Sequence, residues 1–194
     1  FDIDNHADKA VISALEQLEE LKKLNIILKN LNQPKIDIGI GITTGIVTVG
    51  EIGSVGRSDY TIIGDNVNLG SRIESLCKFY GCQLIISENT KEQLKEKYIF
   101  RYLDFIKVKG KDIPIKIWEV ISLENNKTKE LFKELEKYNQ AIILYKNSNF
   151  KEAMIIFENL KNSKTSLSTK IYEIYMNRCN EFILDPSLEF NYIY

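Results

Sequence analysis

The sequence predicts an α+β sandwich with mostly antiparallel strand pairing, followed by an all-α segment. Three observations predict it. Short runs rich in Ile, Val, Tyr and Phe alternate with runs whose apolar residues recur at helical spacing. Two stretches read as β-hairpins, whose strands pair antiparallel. After Ser122 the strand-like runs stop and only helical periodicity follows. The predicted organisation is therefore a domain over residues 1–121, a polar linker over 122–129 and a helical extension over 130–194.

Residues 8–31 read as a helix. Ala10, Ala14, Leu15, Leu18, Leu21 and Leu28 form its apolar stripe, Asp4 or Asn5 caps it, and Asn32-Gln33-Pro34 ends it. "KIDIGIGITTGIVTVGEIG" then reads as a hairpin: Ile36, Ile38, Ile40 and Ile42 alternate along one strand, Thr44-Gly45 makes the turn, and Ile46, Val47 and Val49 begin the return strand. Gly39 and Gly41 leave one face of that first strand nearly bare. Two uses are open: a bulge or close sheet-to-helix contact, or room for something flat. "YTIIGDNVNLGSRIESL" starts as a strand, turns at Gly64 and continues as a helix over 66–79 that ends at Gly81. Leu69, Ile73, Leu76 and Cys77 form its apolar face, and Asn68, Ser71, Arg72 and Ser75 line a neighbouring polar face.

"QLIIS" is a short buried strand, and a helix over 88–96 follows with Ser87 as its cap. "IFRYLDFIKVKGKDIPIKIWEVI" is a second long hairpin turning at Lys109-Gly110-Lys111-Asp112, with Pro114 near the start of the return strand. "SLENNKTKE" is polar. Beyond it, Ala141, Ala153 and Phe157 fall at the small-small-aromatic spacing of a tetratricopeptide hairpin that turns near Asn147–Asn149, with Thr165 where such a repeat has proline. A third helix over 167–181 covers the pair. One repeat cannot bury its own face, so it is expected to dock on the preceding domain or on other helices.

A net charge of -1, with 44% hydrophobic and 27% charged residues, fits a globular chain and gives no electrostatic case for binding nucleic acid or an anionic membrane. No apolar run approaches the length that crosses a bilayer, and no signal-peptide pattern opens the chain. "FDIDNHADKA" has neither a starting Met nor a basic segment, and reads as the start of a piece cut from something longer. Cys77, Cys82 and Cys179 read as buried reduced thiols of a cytoplasmic protein. His6, the lone histidine, sits at a helix start with no second histidine to share a metal.

Several motifs fail. Gly39-Ile-Gly41-Ile-Thr-Thr-Gly45 is one residue too long for a dinucleotide fingerprint and is followed by a hairpin rather than a helix. Phosphate-loop, zinc and nucleophile-elbow spacings are missing. A different constellation survives. Asn68 and Arg72 stand one helical turn apart, roughly 6 Å of rise, on one side of their helix. Arginine presents a charged fork matched to phosphate oxygens, and asparagine an amide suited to a sugar oxygen. Thr61 ends the feeding strand with a hydroxyl, and Lys109 adds a second cation at the later hairpin turn.

These residues carry a resemblance. "IGIGITTGIVTVGEIGSVGRSDYTIIGDNVNLGSRIESL" resembles the central signature of the class III nucleotidyl cyclases, which make cyclic AMP or cyclic GMP. "VKGK" followed by "IPIKIWEV" is similar to their closing hairpin, and "DNHADKAV" to the helix after their second metal-binding segment. The helical part, with Arg178-Cys179 in its last helix, resembles an extension found in some bacterial members. The resemblance implies a ferredoxin-like antiparallel sheet with packed helices, truncated at its start. It implies that Asn68 orients the ribose, Arg72 stabilises the transition state at the α-phosphate, Lys109 contacts the terminal phosphates, and Thr61 reads adenine with the Ile62 and Ile63 backbone beside the base. Thr61 fits the bacterial-type adenylyl branch, so the expected substrate is ATP and the expected activity adenylate cyclase. Guanylate cyclase is the alternative, and a non-catalytic regulatory cyclase-like domain a further one. The resemblance also implies a dimer-interface site in a homodimer or heterodimer, with two Mg²⁺ (or Mn²⁺) ions held by two aspartates upstream of Phe1. Asp2 and Asp4 match neither. The chain alone is therefore expected to be inactive, and membrane contact is expected only through upstream segments.

Overall fold

A computed structural model describes residues 3–54, 56–107, 113–126, 128–163, 167–191 and 193. The chain opens with helix α1 (His6–Asn30), and short strand β1 (Ile40–Ile42) follows. The hairpin β2 (Thr48–Ser54) and β3 (Arg57–Ile63) leads into helix α2 (Asp65–Tyr80). Then come β4 (Leu84–Ser87), a single helical turn α3 (Glu88–Glu92), and the long strands β5 (Tyr98–Ile106) and β6 (Ile115–Leu123). A 3-10 turn over Glu124–Asn126 leads to α4 (Lys129–Lys146), α5 (Phe150–Asn162) and α6 (Lys170–Leu184).

The main sheet has the order β1-β4-β6-β5 and is mixed. β4 and β5 flank β6 antiparallel, whereas β1 runs parallel to β4, with Ile40 opposite Leu84 and Ile42 opposite Ile86. This corrects the expected hairpin over 36–49. β1 does not pair with the strand that follows it. The hairpin is one element later, with Val49 opposite Ile62 and Gly50 opposite Thr61. Isoleucines alternating with glycines specify extended backbone but not its partner. The turn of the β5–β6 hairpin, at Lys109–Asp112, lies outside the described residues.

The sheet is covered on both faces. Leu84 and Ile86 point to α1, where Val11, Ala14 and Leu18 meet them together with Tyr98 and Val120. Ile85, between them, points the other way, as strand alternation requires. It joins Leu69, Ile73, Cys77 and Tyr80 of α2 and a cluster that includes Tyr138, Phe157, Tyr172 and Tyr175 of the last three helices. The α1 stripe is therefore rotated from its expected position: Ala7, Asp8 and Val11 are buried, and Ala10 is exposed. Asn5 stands at the cap position with left-handed backbone and makes no side-chain cap bond.

The two bare glycines have a structural use. A β-carbon on Gly41 would lie 2.4 Å from the Glu74 amide nitrogen and 2.5 Å from the Gly70 carbonyl oxygen. One on Gly39 would lie 2.9 Å from Cys77 Cβ. α2 thus rests on β1 at backbone distance. Of the two uses left open, the close sheet-to-helix contact is the one present.

Ser87 caps α3 as expected, accepting from the Thr90 amide at 3.3 Å. That helix stops at Glu92 rather than 96. The Lys95 and Glu96 amides donate instead to the Asp8 carboxylate, at 3.0 and 3.1 Å, and the Tyr98 hydroxyl donates to it at 3.0 Å. Among the described residues no helix is long and apolar enough to cross a membrane.

Candidate active site

The site is built where β3 runs into α2. Gly64 makes the junction with φ 151°, a conformation disfavoured for any residue with a β-carbon. Its carbonyl accepts the Val67 and Asn68 amides at 3.1 and 3.2 Å and so starts the helix. Asn66 ties that first turn to the loop after β1, its Nδ2 donating to the Ile46 carbonyl at 3.0 Å. The loop is fixed in turn by hydroxyls. Thr44 donates to Thr90 Oγ1 at 3.1 Å, and Thr90 Oγ1 donates to the Ile42 carbonyl at 3.4 Å. α2 ends at Gly81, whose left-handed backbone (φ 71°) closes the helix by donating to the Cys77 carbonyl.

On this frame Asn68 is exposed and Arg72 half-buried, one turn apart on α2. Among the described residues no carboxylate is ion-paired with Arg72. Thr61, Ile62 and Ile63 are exposed on β3, immediately before the junction. Five of the six expected site residues therefore lie on one contiguous strand–turn–helix unit. The sixth, Lys109, lies outside the described residues. Among the described site residues, the unit offers one unpaired cation and one amide close in sequence to an exposed strand end. Chemically it can grip an anion and orient a polar neighbour.

No group of three or more His, Cys, Asp or Glu side chains is placed to hold a metal ion among the described residues. Asp4 is exposed. The described residues do not form a two-ion centre by themselves.

At the end of α2 and in β5 lie buried groups that sequence reasoning missed. Asp104 of β5 is buried. Its Oδ2 accepts the Tyr80 hydroxyl at 2.7 Å and Arg178 Nη2 at 2.7 Å, while its Oδ1 accepts the Phe105 amide at 2.9 Å. Burial, and then the Asp104 charge, push the Tyr80 hydroxyl far above its ordinary value. Arg101, with 0% of its side chain exposed, donates through Nε to Glu119 at 2.7 Å and through Nη1 to the Ser168 carbonyl at 3.1 Å. Charged residues amid the apolar alternation of β5 were the available signal, since a buried charge demands a partner. The three cysteines are free and buried, and burial pushes the Cys179 thiol up to about 12.

The family described as the adenylate and guanylate cyclase catalytic domain matches residues 2–124. A terminal-differentiation-specific adenylate cyclase of Dictyostelium discoideum is 32% identical over 97% of this chain and 9% of its own length. An adenylate cyclase of Anabaena cylindrica is 40% identical over 60% of this chain and 25% of its own. The crystal structure of the adenylyl cyclase CyaB from P. aeruginosa superposes with a TM-score of 0.55 at 32% identity, covering 63% of this chain and 62% of that one. The chain thus spans about a tenth and a quarter of the length of these two relatives. The Dictyostelium match runs through the three C-terminal helices as well as the sheet.

Proposed function

Since this chain belongs to the adenylate and guanylate cyclase catalytic domain family, we propose that it carries the ribose- and phosphate-holding half of an adenylate cyclase site. The observation that carries this reading is the strand–turn–helix unit. It carries Thr61 to Ile63, an exposed Asn68 and an unpaired Arg72 in close succession along the chain.

The reaction is intramolecular phosphoryl transfer in ATP. The ribose 3′-oxygen attacks the α-phosphorus and loses its proton. The new O3′–P bond closes the ring as the bond to the β-phosphate bridging oxygen breaks and pyrophosphate leaves. The protein's share is positioning and charge neutralisation. Asn68 holds the ribose so that its 3′-oxygen faces the phosphorus. Arg72 donates to the α-phosphate oxygens as charge builds on them, and Lys109 meets the leaving phosphates. Thr61 donates to or accepts from the base edge, with the Ile62 and Ile63 backbone beside it. The Mg²⁺ or Mn²⁺ ions that such chemistry uses fit no residues described here, so their carboxylates would come from outside this chain or from a partner protomer.

A dimer follows from the same surface. The β2–β3 hairpin carries apolar side chains outward: Tyr60 is 77% exposed, with Val49 and Ile62 exposed on the same face, and Ile46, in the loop before β2, is 93% exposed. Such a contiguous patch marks an interaction surface. A second cyclase domain, identical or different, is the partner we assign to it. ATP as substrate places the domain in the cytoplasm, with any membrane contact made by other segments. We further read the sheet as ferredoxin-like and the extension as tetratricopeptide-like, because Ala141, Ala153 and Phe157 are all fully buried where the helices meet.

The test is cyclic nucleotide formation by the protein expressed from its natural start, with ATP or GTP and Mg²⁺ or Mn²⁺. Cyclic AMP from ATP, reduced by about 10²–10³-fold in Arg72→Ala, is the expected result. Cyclic GMP from GTP alone would make it a guanylate cyclase. No product from either nucleotide, in a folded dimer with carboxylates at the metal positions, would overturn the catalytic reading in favour of a regulatory domain.

A further inference from the structure

We propose that the C-terminal helices set the position of the substrate-holding helix, through a buried node formed by Tyr80, Asp104 and Arg178. The inference rests on the assignment of Asn68 and Arg72 above. It concerns what holds those residues in place.

The node joins three elements at one atom. Tyr80 is the last residue of α2, Asp104 sits in β5 and Arg178 in α6. Both donors converge on Asp104 Oδ2 at 2.7 Å. All three residues are buried, so the bonds are not shared with bulk water. A hydroxyl and a guanidinium accepted by one buried carboxylate oxygen form charge-assisted bonds, which are short and directional. β5 is irregular at this point, with a register shift between Tyr102 and Asp104. The carbonyls around it are taken by the helical extension: Tyr138 donates to the Tyr102 carbonyl at 2.7 Å, and Tyr175 to the Leu103 carbonyl at 2.8 Å. A bulge re-aims the side chains beside it, and here it presents Asp104 to both helices.

Two further links bind the end of α2 to the start of α6. Lys170 Nζ donates to the Lys78 carbonyl at 2.7 Å. Lys78 lies in the last turn of α2, where carbonyls lack helical partners and a cation is favoured. Gly81, the residue that closes α2, leaves so little room that a β-carbon there would lie 2.5 Å from Ser168 Oγ and 2.9 Å from Lys170 Cβ. α2 is thus held at its first turn by Asn66 and along its length by Gly39 and Gly41. At its last turn it is held by α6.

Tyr80 lies eight residues beyond Arg72, roughly 12 Å along a rigid helix. A shift or roll of α2 at the node is carried to Asn68 and Arg72 nearly undiminished. Tyr80, Asp104 and Arg178 are therefore positioning residues. They act on the reaction through the placement of α2 and touch no substrate.

The experiment uses the full protein and three variants: Arg178→Met, Arg178→Lys and Tyr80→Phe. Tyr80→Phe removes one hydroxyl and leaves the Asp104–Arg178 pair intact. Steady-state kinetics with ATP are measured beside hydrogen exchange of the α2 amides. The expected result is a kcat lowered about tenfold in Arg178→Met, as for a modest misplacement of catalytic groups, with KM within about twofold. A smaller fall is expected in Tyr80→Phe, and substantial recovery in Arg178→Lys. Exchange should quicken in α2 while α1 stays as it was. A purely stabilising role predicts unchanged kcat in the folded fraction, and that result overturns the inference. So does unchanged α2 exchange in folded Tyr80→Phe, which decides the matter alone if Arg178→Met does not fold. If the unmutated protein makes no cyclic nucleotide, the enzymatic reading fails by itself. The exchange data still decide whether α6 holds α2.

Discussion

Asp8 sits buried at the start of α1 and accepts two backbone amides and a tyrosine hydroxyl from the segment after α3. Burial pushes its carboxyl up, but the bonds from Lys95, Glu96 and Tyr98 outweigh that and hold it below the usual carboxylate range. A lowered folded value means that its stabilisation is complete above the unfolded value near 4. It is lost as pH falls through the lower folded value. Asp8→Asn is expected to lower stability at neutral pH by about 1–3 kcal/mol, and the gap to the unmutated chain should close in acid. Thermal unfolding of both across pH 2–7 checks this. Arg101 and Glu119 make the contrasting case of a buried ion pair. Arg101→Met strands the Glu119 charge and should cost about 3–5 kcal/mol, whereas replacing both by apolar residues should recover most of that. Chemical denaturation of the single and double variants gives the numbers.

Among the elements, α2 depends most on its support. Gly41→Ala places a β-carbon against Glu74 and Gly70 backbone, which cannot yield as a flexible side chain would. The expected outcome is a loss of about 1–3 kcal/mol and a larger fall in activity than in stability, read by comparing kcat with the unfolding midpoint. The elements also show where the sequence was legible. The α2 boundaries, the buried β4, the β5–β6 hairpin and the turn at Asn147–Asn149 follow from local periodicity and turn chemistry. That Thr61, Asn68 and Arg72 share one strand–turn–helix unit was legible from their spacing. Strand partnership was not legible. Ile40–Ile42 pairs with a strand more than forty residues on, and no local pattern distinguishes that from a hairpin. The early stop of α3 was hidden for the same reason, since Asp8 takes its amides from far along the chain. The buried polar node was visible only as odd charges in β5, without the partners that explain them.

At the scale of the whole molecule, the sheet and the last three helices share one apolar interior. Leu69, Ile73 and Ile117 belong to the same cluster as Tyr138, Phe157 and Tyr175. The expected linker over 122–129 is largely structured: β6 runs to Leu123 and the 3-10 turn fills Glu124–Asn126. A chain ending at residue 126 would expose the part of that sheet face which α2 does not cover. We expect it to aggregate or to bind hydrophobic dyes on expression, while residues 1–194 do neither; light scattering and dye fluorescence distinguish the outcomes.

The two buried ion pairs make the attachment of the helices more than adhesive. Asp104 reaches α6 through Arg178, and Arg101 reaches the segment before α6 through the Ser168 carbonyl. A protease that nicked the short connection ahead of α4 would therefore produce two peptides but one particle. The cut material should migrate as a single band on a native gel, part only in denaturant, and reassemble from its separated pieces.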